Sequence, residues 1–147
     1  MPSHELVEWT GPQAAGPVEL RVPADSRQLP LIRALARLLA EREGLGREQV
    51  TDLVVAVDEA CTCLITRSVP GAILTCRYAV AFGSLRVAVS TTTVDGTGPA
   101  AHALGWRLLV ALTDSLNAWR YEHDPQRETG RVVHIDFAKQ FAGRFAG

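Results

Sequence analysis

The sequence predicts an α/β protein of the α+β kind: a two-layer sandwich with helices on one face of a mostly antiparallel mixed sheet. Two observations carry this. Five short runs read as strands and three longer ones as helices, in the order strand, helix, helix, hairpin, helix, hairpin. The 147 residues, 47% of them hydrophobic, suffice for one globular core.

Residues 1–17 hold Pro2, Gly11, Pro12, Gly16 and Pro17 without periodicity and read as a flexible N-terminal arm. In the first strand Val18, Leu20 and Val22 alternate with Glu19 and Arg21 and stop at Pro23, after which Asp25 and Ser26 offer capping oxygens. A helix follows over about 27–43, with Leu31, Ile32, Leu35, Leu38 and Leu39 expected in the core and Pro30 in the tolerant first turn. Arg33, Arg37 and Glu41 follow one another at i,i+4 on its outer face, and Gly44 and Gly46 end it.

The second helix, about 47–67, turns Val50, Val54, Val57, Cys61 and Leu64 inward, while Asp52, Glu59, Thr62, Cys63 and Thr66 fall elsewhere. Ser68 to Gly71 break it. A strand over 72–82 then joins another over 85–93 through Gly83 and Ser84. A helix over 101–114 should direct Leu104, Leu108, Val110, Ala111 and Leu112 to the core. Strands over 117–123 and 131–137 flank a turn with Asp124, Pro125 and Gly130, so the domain spans 18–138 and residues 139–147 form a C-terminal tail.

Composition excludes several functions. Fifteen Lys plus Arg against sixteen Asp plus Glu give a net charge of −1, which leaves no basic surplus to neutralise nucleic-acid phosphates. No apolar run approaches the ~20 residues of a membrane span, and the start MPSHELVEWT has no signal-peptide pattern, so a cytoplasmic protein is expected. Cys61, Cys63 and Cys76 make no disulfide framework. Two residues apart on a helix, Cys61 and Cys63 point to nearly opposite sides and cannot share an ion. His102, His123 and His134 lack metal spacing, so no metal site is assigned, and Trp106, Trp119 and Tyr121 are read as packing residues.

The segment from Val54 to Ile65 resembles the signature helix of anti-sigma factor serine kinases of the GHKL (Bergerat) ATPase superfamily, whose pattern is Glu-Ala-x-Thr-Asn. Glu59, Ala60 and Thr62 match, and Cys63 stands where the family has asparagine. The resemblance runs from about Val18 to Phe137 and is nearest to actinobacterial anti-sigma factors of the sigma-F-like branch. It implies that Glu59 would accept a proton from a substrate serine, while a residue one turn later holds Mg²⁺ over ATP. A cysteine thiol is a poor ligand for so hard a cation.

The family's Asp-x-Gly-x-Gly motif has a near match in Asp95, Gly96 and Gly98, which is one residue short and late in register; Thr91 takes the aspartate position on the preceding strand. Of Gly-x-Gly-Leu, which would set backbone N–H groups against phosphate, Gly105 survives and Arg107 replaces the second glycine. The lid between these motifs is short.

The resemblance thus implies a degenerate nucleotide site at Cys63, Asp95, Gly96, Gly98 and Gly105, a vestigial catalytic Glu59, and weak or absent binding of ATP and Mg²⁺. It implies partner contacts at Arg33 and Arg37. The expected function is an anti-sigma factor, a homodimer, that sequesters a stress or sporulation-type sigma factor and is released by a STAS-type anti-anti-sigma factor. An active serine kinase acting on that anti-anti-sigma factor is the alternative, and a degenerate domain binding an unrelated regulator is a third.

Overall fold

The computed structural model describes residues 17–94, 103–120 and 131–140. Strand β1 (Val18–Pro23) leads through a 3-10 turn (Ser26–Gln28) into helix α1 (Leu29–Arg42) and helix α2 (Arg47–Ile65). Strands β2 (Ile73–Ala81) and β3 (Ser84–Thr93) follow, then helix α3 (Leu104–Leu112) and strands β4 (Ser115–Arg120) and β5 (Arg131–Gln140). The sheet order is β1-β2-β3-β5-β4, and every pairing among the described strands is antiparallel. This is the expected sandwich without a parallel pair.

Along β3 burial alternates residue by residue, with Leu85, Val87, Val89, Thr91 and Thr93 facing inward. They share one core with Leu74, Cys76 and Tyr78 of β2, Val133, Ile135 and Phe137 of β5, and the inner faces of α1 and α2. All five α2 residues expected inside are buried. The Sγ atoms of Cys61 and Cys76 lie 3.7 Å apart there, and hydrogen bonding between the two thiols together with burial pushes the Cys61 thiol up, so it stays protonated. No described helix is long and apolar enough to cross a membrane.

Four expectations change. On α1 the buried stripe is Ile32, Ala36, Leu39 and Ala40, whereas Leu31 is 51% and Leu38 61% exposed. The two alanines let α1 approach α2 closely, and the seam is narrower than the run of leucines suggested. On α3 Leu109 is the buried residue, while Leu104, Leu108 and Val110 are exposed. A nine-residue helix that is apolar nearly all round carries no phase to read.

At the β2–β3 turn, Ala81 pairs with Ser84, so the loop is Phe82-Gly83, and both residues have positive φ (53° and 73°). A two-residue hairpin matched to strand twist demands that conformation even of Phe82. Finally, β5 continues through Lys139 and Gln140, paired with Leu85 and Ser84, so the first two residues read as tail belong to the sheet. The N-terminal arm and the rest of the tail lie outside the described residues.

At the front of the domain Asp25 caps the 3-10 turn, accepting from the Arg27 amide at 2.9 Å and from its guanidinium at 2.6 Å. That hydrogen bonding holds the Asp25 carboxyl at about 2. At the other end of α2, the Val69 amide donates to the Thr92 carbonyl and the Val94 amide to the Arg67 carbonyl, so the helix terminus is sewn to the end of β3.

Candidate functional site

Glu59, Thr62, Cys63, Thr66 and Arg67 stand at i, i+3, i+4, i+7 and i+8 of α2 and its C-terminal turn, so they form one stripe. Facing them across a cavity of about 210 Å³ are Ala103, Gly105, Trp106 and Leu109 at the start of α3. Glu59 and Cys63 of α2 thus meet Gly105 of α3 in one place. Thr66, Arg67, Ala103 and Leu109 join the site only in the structure, although the helical stripe extended from Glu59 by two turns already contains the first two. Trp106, read as packing, does pack against the core and also lines the cavity.

Gly105 has a local reason. A Cβ there would overlap the Glu59 Oε2 and stand 3.0 Å from its Cδ, so any larger residue displaces the carboxylate. The first turn of α3, with no side-chain cap of its own, therefore lies against an acidic group, the sign its dipole favours. Arg107 points outward and is exposed, leaving no second glycine in the wall.

Cys63 is half-buried, and Arg67 Nη1 donates to its carbonyl at 3.4 Å and lies 3.6 Å from its sulfur. Burial pushes the Cys63 thiol up and Glu59 adds to the effect, with Arg67 opposing it. A neutral thiol is what remains where the family holds Mg²⁺. Among the described residues no cluster of His, Cys, Asp or Glu could hold a metal ion. At the position where the resembled family has asparagine, the described residues offer a thiol, a poor donor for Mg²⁺.

Thr91 is 3% exposed, and its hydroxyl donates to the Ile73 carbonyl at 2.9 Å, so it offers the cavity no carboxylate. Asp95, Gly96 and Gly98 lie outside the described residues, as do His102, Tyr121, His123 and the side chain of Trp119.

The arginines stand apart from this cavity. Arg33 Nη1 pairs with Asp58 Oδ1 at 2.7 Å, bridging α1 to α2 beside Glu59, with both side chains roughly a third or more exposed. Arg37 is exposed one turn along, between Leu31 and Leu38 in the sequence. The exposed arc of α1 thus runs from the arginines on one flank of its buried stripe to Leu31 and Leu38 on the other.

Residues 22–137 match the family model described as the histidine kinase-like ATPase domain. Over 110 residues the chain is 34% identical to proteins named anti-sigma-F factor RsbW from two strains of Mycobacterium tuberculosis, a match covering 74% of this chain. It covers 64% of those proteins, so the chain spans a little under two thirds of the length of these curated relatives. With the family model matched across both layers of the sandwich, the chain belongs to the histidine kinase-like ATPase domain family of the GHKL superfamily.

Proposed function

We propose that this chain is an anti-sigma factor that binds and sequesters an alternative sigma factor of the sigma-F-like branch and is released by a STAS-type anti-anti-sigma factor. The observation that carries this reading is the exposed surface of α1, which leaves Leu31 and Leu38 in water on one flank of its buried stripe and Arg33 and Arg37 on the other. The likeness to proteins named anti-sigma-F factor supports the same partner class. The working form would be a homodimer. Capture needs surface rather than phosphoryl chemistry, so it proceeds without nucleotide. Purified chain added to reconstituted transcription should silence one sigma factor with no ATP present, and full transcription from every sigma factor of the source organism at large molar excess would refute the proposal.

Arg33 is expected to contribute through its fork to a partner carboxylate, exchanging Asp58 for it. Arg33→Ala should weaken sigma binding by about 1–3 kcal/mol. Because the Arg33–Asp58 pair is substantially exposed, the same change should cost the fold no more than about 1 kcal/mol. Titration calorimetry beside thermal unfolding separates the two, and an unchanged affinity removes Arg33 from the contact.

The kinase alternative draws on Glu59, which lines the cavity at the family's base position. Its weakness is the donor set. Cys63→Asn restores one hard oxygen, yet Arg107 still leaves phosphate poorly held, and positioning dominates phosphoryl transfer. Neither wild type nor Cys63→Asn should transfer phosphate to an anti-anti-sigma serine. Radiolabel transfer by wild type that Glu59→Gln abolishes would establish the kinase instead.

A further inference from the structure

Lys139 is the single lysine of the chain, in a sequence that otherwise uses arginine for positive charge. It sits near the end of β5 with its side chain only 15% exposed. Its Nζ donates to the Leu112 carbonyl at 3.1 Å and lies 3.3 Å from Asp52 Oδ2 on α2. Leu112 is the last residue of α3, so the ammonium meets one of the carbonyls left over at the C-terminus of that helix, where a cation is favoured. The opposite end of the same helix abuts the Glu59 carboxylate through Gly105. Thus α3 is held between an anion at its N-terminus and a cation at its C-terminus. One of these charges stands on α2, and the other is tied to α2 through Asp52.

From this we propose that Lys139 is a positioning residue that latches α3 over the cavity and so controls access to Cys63. The helix needs such a device. It buries Leu109 alone, leaves Leu104 and Val110 more than half exposed, and has no N-terminal side-chain cap. Trp106 and Leu112 add only partly buried contact with the core, so the charges at its two ends share in holding it. A compact ammonium with three donors can serve Asp52 and a helix carbonyl together, whereas a planar guanidinium approaches the same two acceptors less closely. Around it, Asp114 Oδ2 accepts from the Gln140 amide at 2.7 Å and Gln49 donates to the Gln140 carbonyl at 2.9 Å, so the end of β5 that carries the lysine is itself held.

Cysteine alkylation reads the latch directly, since Cys63 lines the cavity beneath α3 while Cys61 and Cys76 are fully buried and report on the core. The full chain is treated with iodoacetamide, and each thiol is followed by peptide mass. Lys139→Met should raise the Cys63 rate about tenfold, the effect of losing a charge-assisted hydrogen bond from a locally opening element, with Cys61 and Cys76 still protected. Amide hydrogen exchange across 104–112 should accelerate in parallel, while that of α1 stays as in wild type. Lys139→Arg, which keeps the cation, should restore most of the protection. Unchanged Cys63 labelling in Lys139→Met overturns the proposal, and so does equal labelling of all three thiols, which would mean global rather than local opening. No sigma factor or nucleotide enters the measurement, so its outcome is separate from that of the proposed function.

Discussion

Leu31→Asp combined with Leu38→Asp should leave the fold intact and weaken sigma-factor capture by about a hundredfold or more, equivalent to roughly 3 kcal/mol. Both leucines are more than half exposed, so the free chain gains little from their outer apolar surface. In a complex each would be desolvated, contributing about 1 kcal/mol or more, and a carboxylate in the same place must instead be stripped of water. They lie on one side of α1, seven residues apart, two turns of a helix whose other stripe is committed to α2. Circular dichroism of the double variant should match wild type. An unaltered dissociation constant would move the partner surface away from α1.

Phe137→Ala should lower unfolding free energy by about 3–5 kcal/mol, a large share of the roughly 5–15 kcal/mol available to a domain of this size. Phe137 is 1% exposed and sits in β5 between Val87 of β3 and Leu116 of β4. Removing its ring opens a void in the layer on which α2 rests. Strands on both sides fix the backbone there, so little collapse can fill the void. Urea unfolding followed by tryptophan fluorescence measures the change, and a loss below 1 kcal/mol would mean that the sheet repacks freely.

The signature helix shows how far one dimension of information reaches. From Val50 to Leu64 the apolar residues keep a 3.6-residue period with polar residues between, so burial, phase and the position of Glu59 and Cys63 all follow from spacing, and all five inward positions agree with the structure. The alternation of β1 and the two-hairpin order are equally local properties, because pleat and turn geometry act between near neighbours. Where the local signal is saturated it fails. In α1 and α3 leucines occupy more than one face, and nothing in the sequence says which stripe meets α2.

The sequence by itself therefore determined the layers, the two hairpins, the cysteine where the resembled family has asparagine and the family to which the chain belongs. Only the tertiary structure decided which leucines α1 leaves in water, that Gly105 comes against Glu59, that Arg33 pairs with Asp58, and that Lys139 anchors the far end of α3. The reason is physical. Periodicity is imposed by the backbone within a few residues, whereas these contacts join groups 25 to 46 residues apart, and they depend on how closely elements approach after they have formed.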